Sequence, residues 1–249
     1  MDLVDNPIGI QVNRRTFVGA SLALLGSAVA AGPGVAAADR MAPSSGGGGQ
    51  IDGSGHQLYE NFWQHADSTD ISHADSGQPW INAGYTPRIA NGTLILDVNS
   101  GTGSNYMNVD LGSDITHIEA AGGWSDGSVG NPVLALLVLP TAFTSIPAYC
   151  PCHLVFGHLW YEYAVWGSGY GFTVLQRVNY AAGINPQFVK CDLDIPNATA
   201  HVTGADGVVT TITHPLINQG AAHFACFELS YGNAAPGNDR IWFTEVAAN

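Results

Sequence analysis

The sequence predicts an all-β fold, a single antiparallel sandwich, and three observations support that prediction. Short apolar or alternating segments follow one another from residue 57 to the C-terminus, broken by Gly, Pro, Asn and Asp at frequent intervals. No long segment carries a helical period. The chain has 249 residues, and one domain of about 200 residues is a size that β-sandwiches often reach.

An export signal and a linker precede this domain. Residues 13–18, NRRTFV, resemble the twin-arginine export motif, and an apolar run over residues 18–31 follows. Cleavage of an A-x-A site after Ala38 is natural, and the run is shorter than the about 20 residues of a membrane-spanning helix. We therefore expect residues 1–38 to be a removable signal read by the twin-arginine export machinery, with no stable membrane span after removal. The Gly/Ser-rich residues 39–56 are expected to be a flexible linker. The protein is then secreted, or located in the periplasm or at the cell surface.

The domain, residues 57–249, divides into predicted strands separated by turn residues. The strands are Leu94–Val98, His117–Ala121, Val133–Leu139, His153–Phe156, His158–Trp166, Phe172–Tyr180, Phe188–Ile195, Ala198–Thr203, Val208–Thr213, His223–Tyr231 and Ile241–Val246. Val133–Leu139 is apolar on both sides of the strand, which predicts a central strand covered on both faces. Residues 204–207, GADG, lie between two β-branched segments and predict a hairpin turn.

The charge excludes one class of partner. The formal net charge is -13, with seven Lys and Arg in the whole chain. Binding to a phosphate backbone needs clustered cations, so nucleic acid is not an expected partner. Gly-rich phosphate loops, haem motifs and iron-sulfur spacings are absent from the sequence, and no cofactor is expected.

Cysteines of an exported chain commonly form disulfides, and all four lie in the mature part: Cys150, Cys152, Cys191 and Cys226. Three pairings are possible. We expect at least one bridge to involve Cys191 or Cys226, because Cys191 alternates with apolar residues that point to the core. A zinc site is the alternative, although C-P-C is not the usual spacing of zinc ligands.

The segment HLWYEYAVW, residues 158–166, suggests a ligand-binding face. In a strand, its aliphatic and tyrosine positions fall on one side, and the other side carries His158, Trp160, Glu162 and Trp166. Tryptophan faces cover the apolar side of a sugar ring, and polar groups bind its hydroxyls. Gln176 of a neighbouring strand could extend this face. The alternative is a strand buried on both sides, with Glu162 paired to an arginine.

Two further sets of residues are candidates for chemistry. If the protein is an enzyme, Glu162 with Glu228 or Glu119 would supply the carboxylate pair of a glycosidase. Asp67, Asp70 and Asp75, in a polar segment that also holds His65 and His73, could bind a structural calcium ion. The alternative there is a solvated loop.

The order of several segments resembles that of concanavalin A-like jelly-roll domains, which include legume-type lectins, laminin-G-like modules and jelly-roll glucanases. The segments are residues 62–63 (FW) at the start of the domain, 77–80 (GQPW) and 88–96 (RIANGTLIL) as an opening hairpin, and 238–246 (NDRIWFTEV) as the returning C-terminal strand. The resemblance implies two antiparallel sheets in a jelly-roll β-sandwich, with one concave face available to glycans. The E-x-D-x-x-E strand of the glucanases is absent from this sequence.

The sequence therefore predicts an exported carbohydrate-binding, lectin-like β-sandwich that recognises a cell-envelope or environmental glycan. One alternative is a glycoside hydrolase or polysaccharide lyase that uses Glu162 and a second carboxylate. The other is a structural or adhesive surface protein without a small ligand. An open groove at Glu162 favours the first two, and a closed apolar face favours the last.

Overall fold

A computed structural model of the chain describes residues 51, 53–68, 71–96, 101–124, 132–143, 150–157, 160–167, 171–179, 188–203, 208–218, 222–234 and 241–249. From residue 150 to 189 this description is of the backbone and its pairing. Over these ranges the chain forms fifteen strands and two short 3₁₀ helices, Phe62–Gln64 and Pro215–Asn218. The strands are β1 (Leu58–Asn61), β2 (Ile81–Gly84), β3 (Arg88–Ala90), β4 (Thr93–Leu96), β5 (Gly101–Asp110), β6 (His117–Trp124), β7 (Pro132–Leu139), β8 (Cys150–Gly157), β9 (Trp160–Gly167), β10 (Gly171–Asn179), β11 (Phe188–Asp194), β12 (Thr199–Thr203), β13 (Val209–Thr213), β14 (Phe224–Ala234) and β15 (Ile241–Ala248).

The strands form two antiparallel sheets, as the sequence predicts. The eight-stranded sheet has the order β13-β12-β11-β6-β15-β4-β3, and β1 pairs with the other end of β15. The seven-stranded sheet has the order β10-β9-β8-β7-β14-β5-β2. The N-terminal and C-terminal strands of the domain therefore lie side by side in one sheet.

The main core lies between the two sheets. The Phe227 ring of β14 meets Phe243 of β15 edge to face across the sandwich, with ring centroids 6.1 Å apart. Trp80, which precedes β2, makes the same kind of contact with Phe227 at 6.1 Å. Edge-to-face pairs are favourable because the positive ring edge meets the negative ring face.

The predicted central strand is confirmed. β7 is fourth of the seven strands, and its residues 134–139 are buried on both faces. Leu134, Leu136 and Val138 belong to the main core. The alternate positions belong to a second apolar cluster on the outer face of the same sheet: Ala135, Leu137, Leu139, Phe143 and Cys226.

Three strands, β1, β2 and β5, were not predicted from the sequence. β5 reads GTGSNYMNVD, whose glycines and asparagines are poor strand formers. It forms because Asn105, Met107 and Val109 alternate towards the core and the strand pairs with both β14 and β2. Tertiary pairing therefore overrides the local preference of this segment.

Both predicted hairpins pair as expected. β3 and β4 are antiparallel around Asn91 and Gly92, whose φ angles of 52° and 74° are those of a tight type I′ turn. β12 and β13 are also antiparallel neighbours. Their connection, residues 204–207, lies outside the described residues.

The expectation of a disulfide through Cys191 or Cys226 is wrong, because neither cysteine forms a disulfide and both are buried. Cys191 belongs to the main core, as predicted from its alternation, and its Sγ lies 3.6 Å from the carbonyl oxygen of Ala120. Cys226 belongs to the apolar cluster on the far side of the other sheet. A sheet therefore separates the two sulfur atoms. The side chains of Cys150 and Cys152 lie outside the described part of the chain.

The predicted signal, residues 1–38, and most of the predicted linker lie outside the described residues. Among the residues that the structure describes, no helix is long and apolar enough to cross a membrane.

Candidate functional site

The segment that suggested a ligand-binding face forms β9, second from one edge of the seven-stranded sheet. Tyr163 pairs with Leu154 of β8, which pairs with the core residue Leu136 of β7. Cross-strand partners share one face of a sheet, so position 163 belongs to the inner face and Glu162 to the outer face. The two-residue period assigns two more positions to the outer face, Trp160 and Trp166. His158 lies outside the described residues.

Glu162 is part of a row of positions that crosses the outer face. It pairs with Val155, which pairs with Ala135. Ala135 in turn pairs with Glu228 of β14, and Glu228 with Tyr106 of β5. The row therefore carries a glutamate near each of its ends.

At the β5 end of the row, the side chains form an aromatic and polar cluster. The Tyr106 ring stacks on Phe143, with centroids 4.1 Å apart. The Tyr106 hydroxyl hydrogen-bonds to Ser104 and to Glu228, and burial, followed by the charge of Glu228, raises the pKa of Tyr106. Ser230, the cross-strand partner of Ser104, is partly exposed. This end of the face therefore has an aromatic ring, a carboxylate and two hydroxyls in adjacent positions.

The segment that bears Phe143 covers another part of the same outer face. The Phe143 N–H donates to Asn108 Oδ1 at 2.7 Å, and Asn108 Nδ2 donates to the Phe143 carbonyl at 3.3 Å. Leu137, Leu139 and Cys226 are buried beneath it. The outer face is therefore covered and apolar at one end and polar at the Ser104 end.

The topology separates residues that were predicted to share one site. Gln176 pairs with Tyr163, just after a β-bulge that follows Val174, and Arg177 is the residue opposite Glu162. Gln176 therefore does not extend the row of Glu162. Glu119 lies on β6, in the other sheet. Glu162 and Glu228 are three strands apart, and strand spacings of about 4.8 Å place their backbones about 14 Å apart.

A second cluster lies beside β1. Glu60 shares the inner face of β1 with the core residue Leu58 and is 1% exposed. His65 Nε2 lies 2.8 Å from Glu60 Oε1 and 3.0 Å from Asp75 Oδ1. Burial, followed by the charge of Asp75, raises the pKa of Glu60 to about 7, and the nearby His65 partly offsets this rise.

Two members of the predicted calcium set, Asp67 and Asp75, have different partners. Asp75 belongs to the Glu60 cluster, whereas Asp67 Oδ1 accepts the backbone N–H of Asn91 at 2.8 Å and so fixes the β3–β4 turn. Asp70 lies outside the described residues. In the part of the chain that is described, Glu60, His65 and Asp75 are the one group of His, Cys, Asp and Glu residues spaced to hold a metal ion.

A third polar cluster lies on the outer face of the eight-stranded sheet. Glu119, 7% exposed, has His56 Nε2 3.1 Å from its Oε1 and Lys190 Nζ 3.2 Å from its Oε2. Its cross-strand partner is Asp192, which in turn pairs with His201. Both oxygens of Glu119 therefore face a nitrogen that can carry positive charge.

Tyr106 and Ser104 were not predicted as site residues, because no strand was predicted over β5. The alternation of Met107 and Val109 is the signal that could have revealed that strand. Phe143, which follows β7, and Glu60, in the unpredicted β1, were not predicted either. His65 and Asp75 were recognised as parts of a polar segment, but no sequence spacing indicates that Glu60 joins them.

The comparisons with known proteins support the architecture. No protein-family model matches the chain. No curated protein matches it either. Among solved structures, the VIP36 exoplasmic/lumenal domain in its Ca²⁺-bound form has a TM-score of 0.53 and 8% identity, over 77% of this chain and 89% of that chain. The form of that domain bound to Ca²⁺ and Man3GlcNAc has a TM-score of 0.51 and 8% identity, over 71% of this chain and 88% of that chain.

The fold is therefore a concanavalin A-like jelly-roll β-sandwich, of the kind found in lectin domains. The expectation drawn from the sequence resemblance is confirmed for the fold. The identity with these neighbours is below a tenth, and the comparison bears on the architecture alone.

Proposed function

We propose that this protein is an exported carbohydrate-binding, lectin-like protein that recognises a cell-envelope or environmental glycan. The observation that carries this proposal is the aromatic and polar end of the row on the outer face of the seven-stranded sheet. There Tyr106, stacked on Phe143, hydrogen-bonds to Ser104 and Glu228. Sugar sites combine an aromatic surface with a few fixed polar groups, because one side of a pyranose is apolar and its rim carries hydroxyls.

The positions of β9 extend this surface along the same face. Trp160, Glu162 and Trp166 alternate on the outer side of β9, on the same face as Glu228 and Tyr106. A surface several strands wide matches an oligosaccharide better than a single sugar, since each strand spacing adds about 4.8 Å. We therefore propose an extended glycan as the ligand.

The hydrolase alternative receives less support. Glycosidase carboxyl groups lie about 5 to 9.5 Å apart. Glu162 and Glu228 are separated by two intervening strands, and Glu119 lies in the opposite sheet. The backbone separation of about 14 Å between Glu162 and Glu228, and the place of Glu119 in the other sheet, therefore do not favour a hydrolytic pair.

A structural or adhesive role is the second candidate, because one observation favours it. Leu137, Leu139 and Cys226 are buried on the outer face under the Phe143 segment, so part of that face is a closed apolar layer. If the closure extends to β9, the row is packing and not a binding surface.

Glycan-array binding of the mature protein, with and without a chelator, tests the proposal. We expect Glu162→Gln and Tyr106→Phe to weaken binding at least about tenfold, since each removes a hydrogen-bonding group worth about 1.5 kcal/mol. Trp160→Ala is expected to weaken binding while the thermal midpoint stays within a few degrees.

The matched control is Trp63→Ala, because Trp63 is a tryptophan that is 45% exposed and lies next to the eight-stranded sheet. Binding should survive this change. Absence of binding to any glycan contradicts the proposal. Unfolding of the Trp160→Ala variant, in line with the about 3 to 5 kcal/mol for emptying a buried aromatic site, supports the structural role.

A further inference from the structure

We propose that Glu60, His65 and Asp75 form a binding site for one divalent transition-metal ion, with zinc as its representative. The three ligand atoms are Glu60 Oε1, His65 Nε2 and Asp75 Oδ1, and all lie within 4.8 Å of one another. The nitrogen is 2.8 Å and 3.0 Å from the two oxygens. Tetrahedral zinc bonds of about 2.0 to 2.2 Å place neighbouring ligand atoms about 3.3 to 3.6 Å apart, so small outward movements of the side chains would admit the ion.

The hydrogen bonds within the cluster leave one buried oxygen without a donor. His65 Nε2 makes its hydrogen bond to Asp75 Oδ1. Glu60 Oε1 is buried and has no hydrogen-bond partner, although the same nitrogen is close to it. One N–H shared between two carboxylates gives each a weaker hydrogen bond, and a buried carboxylate oxygen without a full donor or a cation is unfavourable. A divalent cation would satisfy both oxygens and the nitrogen together.

The backbone holds both carboxylates in the geometry of single-oxygen ligands. Glu60 Oε2 accepts the N–H of Asp75 at 3.0 Å, and Asp75 Oδ2 accepts the N–H of Asn61 at 3.0 Å. Each carboxylate thus uses one oxygen on a backbone donor and points the other at His65. Such outer hydrogen bonds orient metal ligands and fix their position.

The site is also reachable. The Glu60 side chain is 2% exposed, whereas those of His65 and Asp75 are 34% and 31% exposed. An ion can therefore enter from the side of His65 and Asp75, and water can complete its coordination there. An imidazole nitrogen with two carboxylate oxygens favours zinc and other first-row ions over calcium or magnesium, which prefer all-oxygen sites.

The test is metal binding by the full chain after dialysis against a chelator. Isothermal titration with Zn²⁺, Mn²⁺, Ca²⁺ and Mg²⁺ in turn should give one equivalent of Zn²⁺ per chain, with Ca²⁺ and Mg²⁺ at least about 100-fold weaker. Zn²⁺ at about 100 times its dissociation constant should raise the Tm by about 5 °C. Co²⁺ in place of Zn²⁺ should give a visible absorption band that reports an ordered site.

Asp75→Asn and His65→Gln should each weaken zinc binding at least about 10- to 100-fold, and both side chains are partly exposed, so the fold is expected to persist. The matched control is His223→Gln, because His223 Nδ1 and Asp110 Oδ1 form a pair at 2.7 Å that lies outside the cluster. That variant should bind zinc as the parent does. Equal affinity in the parent and the Asp75→Asn variant, or fewer than about 0.1 equivalents bound by the parent, overturns the proposal.

Discussion

The clusters around Glu119 and Glu60 lie on opposite faces of the eight-stranded sheet, and they stabilise a buried carboxylate in different ways. Each buries a glutamate, at 7% and 1% exposure. Glu119 has Lys190 beside one oxygen and His56 beside the other. Glu60 has a backbone N–H on one oxygen and shares one imidazole with Asp75 on the other. The first cluster therefore contains its own permanent cation, and the second lacks one.

This difference shows why a group of acids and histidines is not by itself a metal site. Where lysine is present, its ammonium already occupies the position that an ion would take. Where lysine is absent, the excess negative charge favours binding of a cation or a proton.

Removing the lysine should make the Glu119 cluster unstable. Lys190→Met leaves the buried carboxylate of Glu119 with histidine alone, and loss of one partner of a fully buried ion pair costs about 3 to 5 kcal/mol. The Lys190 side chain is 26% exposed, so we expect a loss of about 2 kcal/mol in the free energy of unfolding. Urea denaturation measures it. Lys190→Arg keeps the charge and should lose less than half as much; an equal loss would show that the cation is not the cause.

A lysine placed in the Glu60 cluster should stabilise its buried carboxylate as Lys190 does in the Glu119 cluster. In His65→Lys, an ammonium between Glu60 and Asp75 should raise the free energy of unfolding in chelator by about 1 kcal/mol. The same variant should no longer gain Tm when zinc is added, because the cation position is taken and the imidazole ligand is gone. Differential scanning calorimetry with and without zinc measures both effects. A zinc-dependent Tm in this variant would contradict the interpretation.

The smallest expected effect is the pH dependence contributed by Asp192, the cross-strand partner of Glu119. Burial raises the pKa of Asp192 above its usual value, His201 and His117 partly offset this rise, Glu119 adds to it and Lys190 opposes it. A raised folded-state pKa means that the folded protein holds the proton more tightly than the unfolded chain. Its contribution to stability is therefore full below the unfolded pKa and is lost as the pH rises through the folded pKa.

Thermal midpoints measured from pH 4 to 7 in the parent and in Asp192→Asn check this sign. The variant cannot titrate at this position, so its midpoint should fall less than that of the parent as the pH rises. A steeper fall in the variant would mean that Asp192 is stabilised as a carboxylate and that the nearby cations dominate over burial.

The sequence predicted the fold well where local pattern and tertiary environment agree. Val133–Leu139 was predicted as a central strand because it is apolar on both sides, and that property is the consequence of being covered on both faces. The hairpin within residues 88–96 was expected from the family resemblance, and the inward position of Cys191 from its alternation with apolar residues. β5 was not predicted, because its asparagines are stabilised by contacts with neighbouring strands and not by a local preference. Asn108 Nδ2, for example, donates to the carbonyl of Ile81 on β2.

The candidate sites were predicted in part. The outer position of Glu162 followed from the two-residue period alone. The positions of Glu119 and Glu228 relative to Glu162 could not be predicted, because strand order is set by long-range pairing that no local pattern encodes. The disulfide expectation failed for the same reason: Cys191 lies in the core between the sheets, whereas Cys226 lies on the outer face of the other sheet.

The sequence is enough to predict that this chain forms short alternating strands and which residues of a predicted strand share a face. These properties follow from side-chain period and composition, which act over a few residues. The contacts of Glu60 with His65 and Asp75, and of Lys190 with Glu119, depend instead on the tertiary fold. Such contacts join residues from separate strands and turns, and their distances depend on which strands pair and in what register, which is fixed by burial of the whole sandwich core.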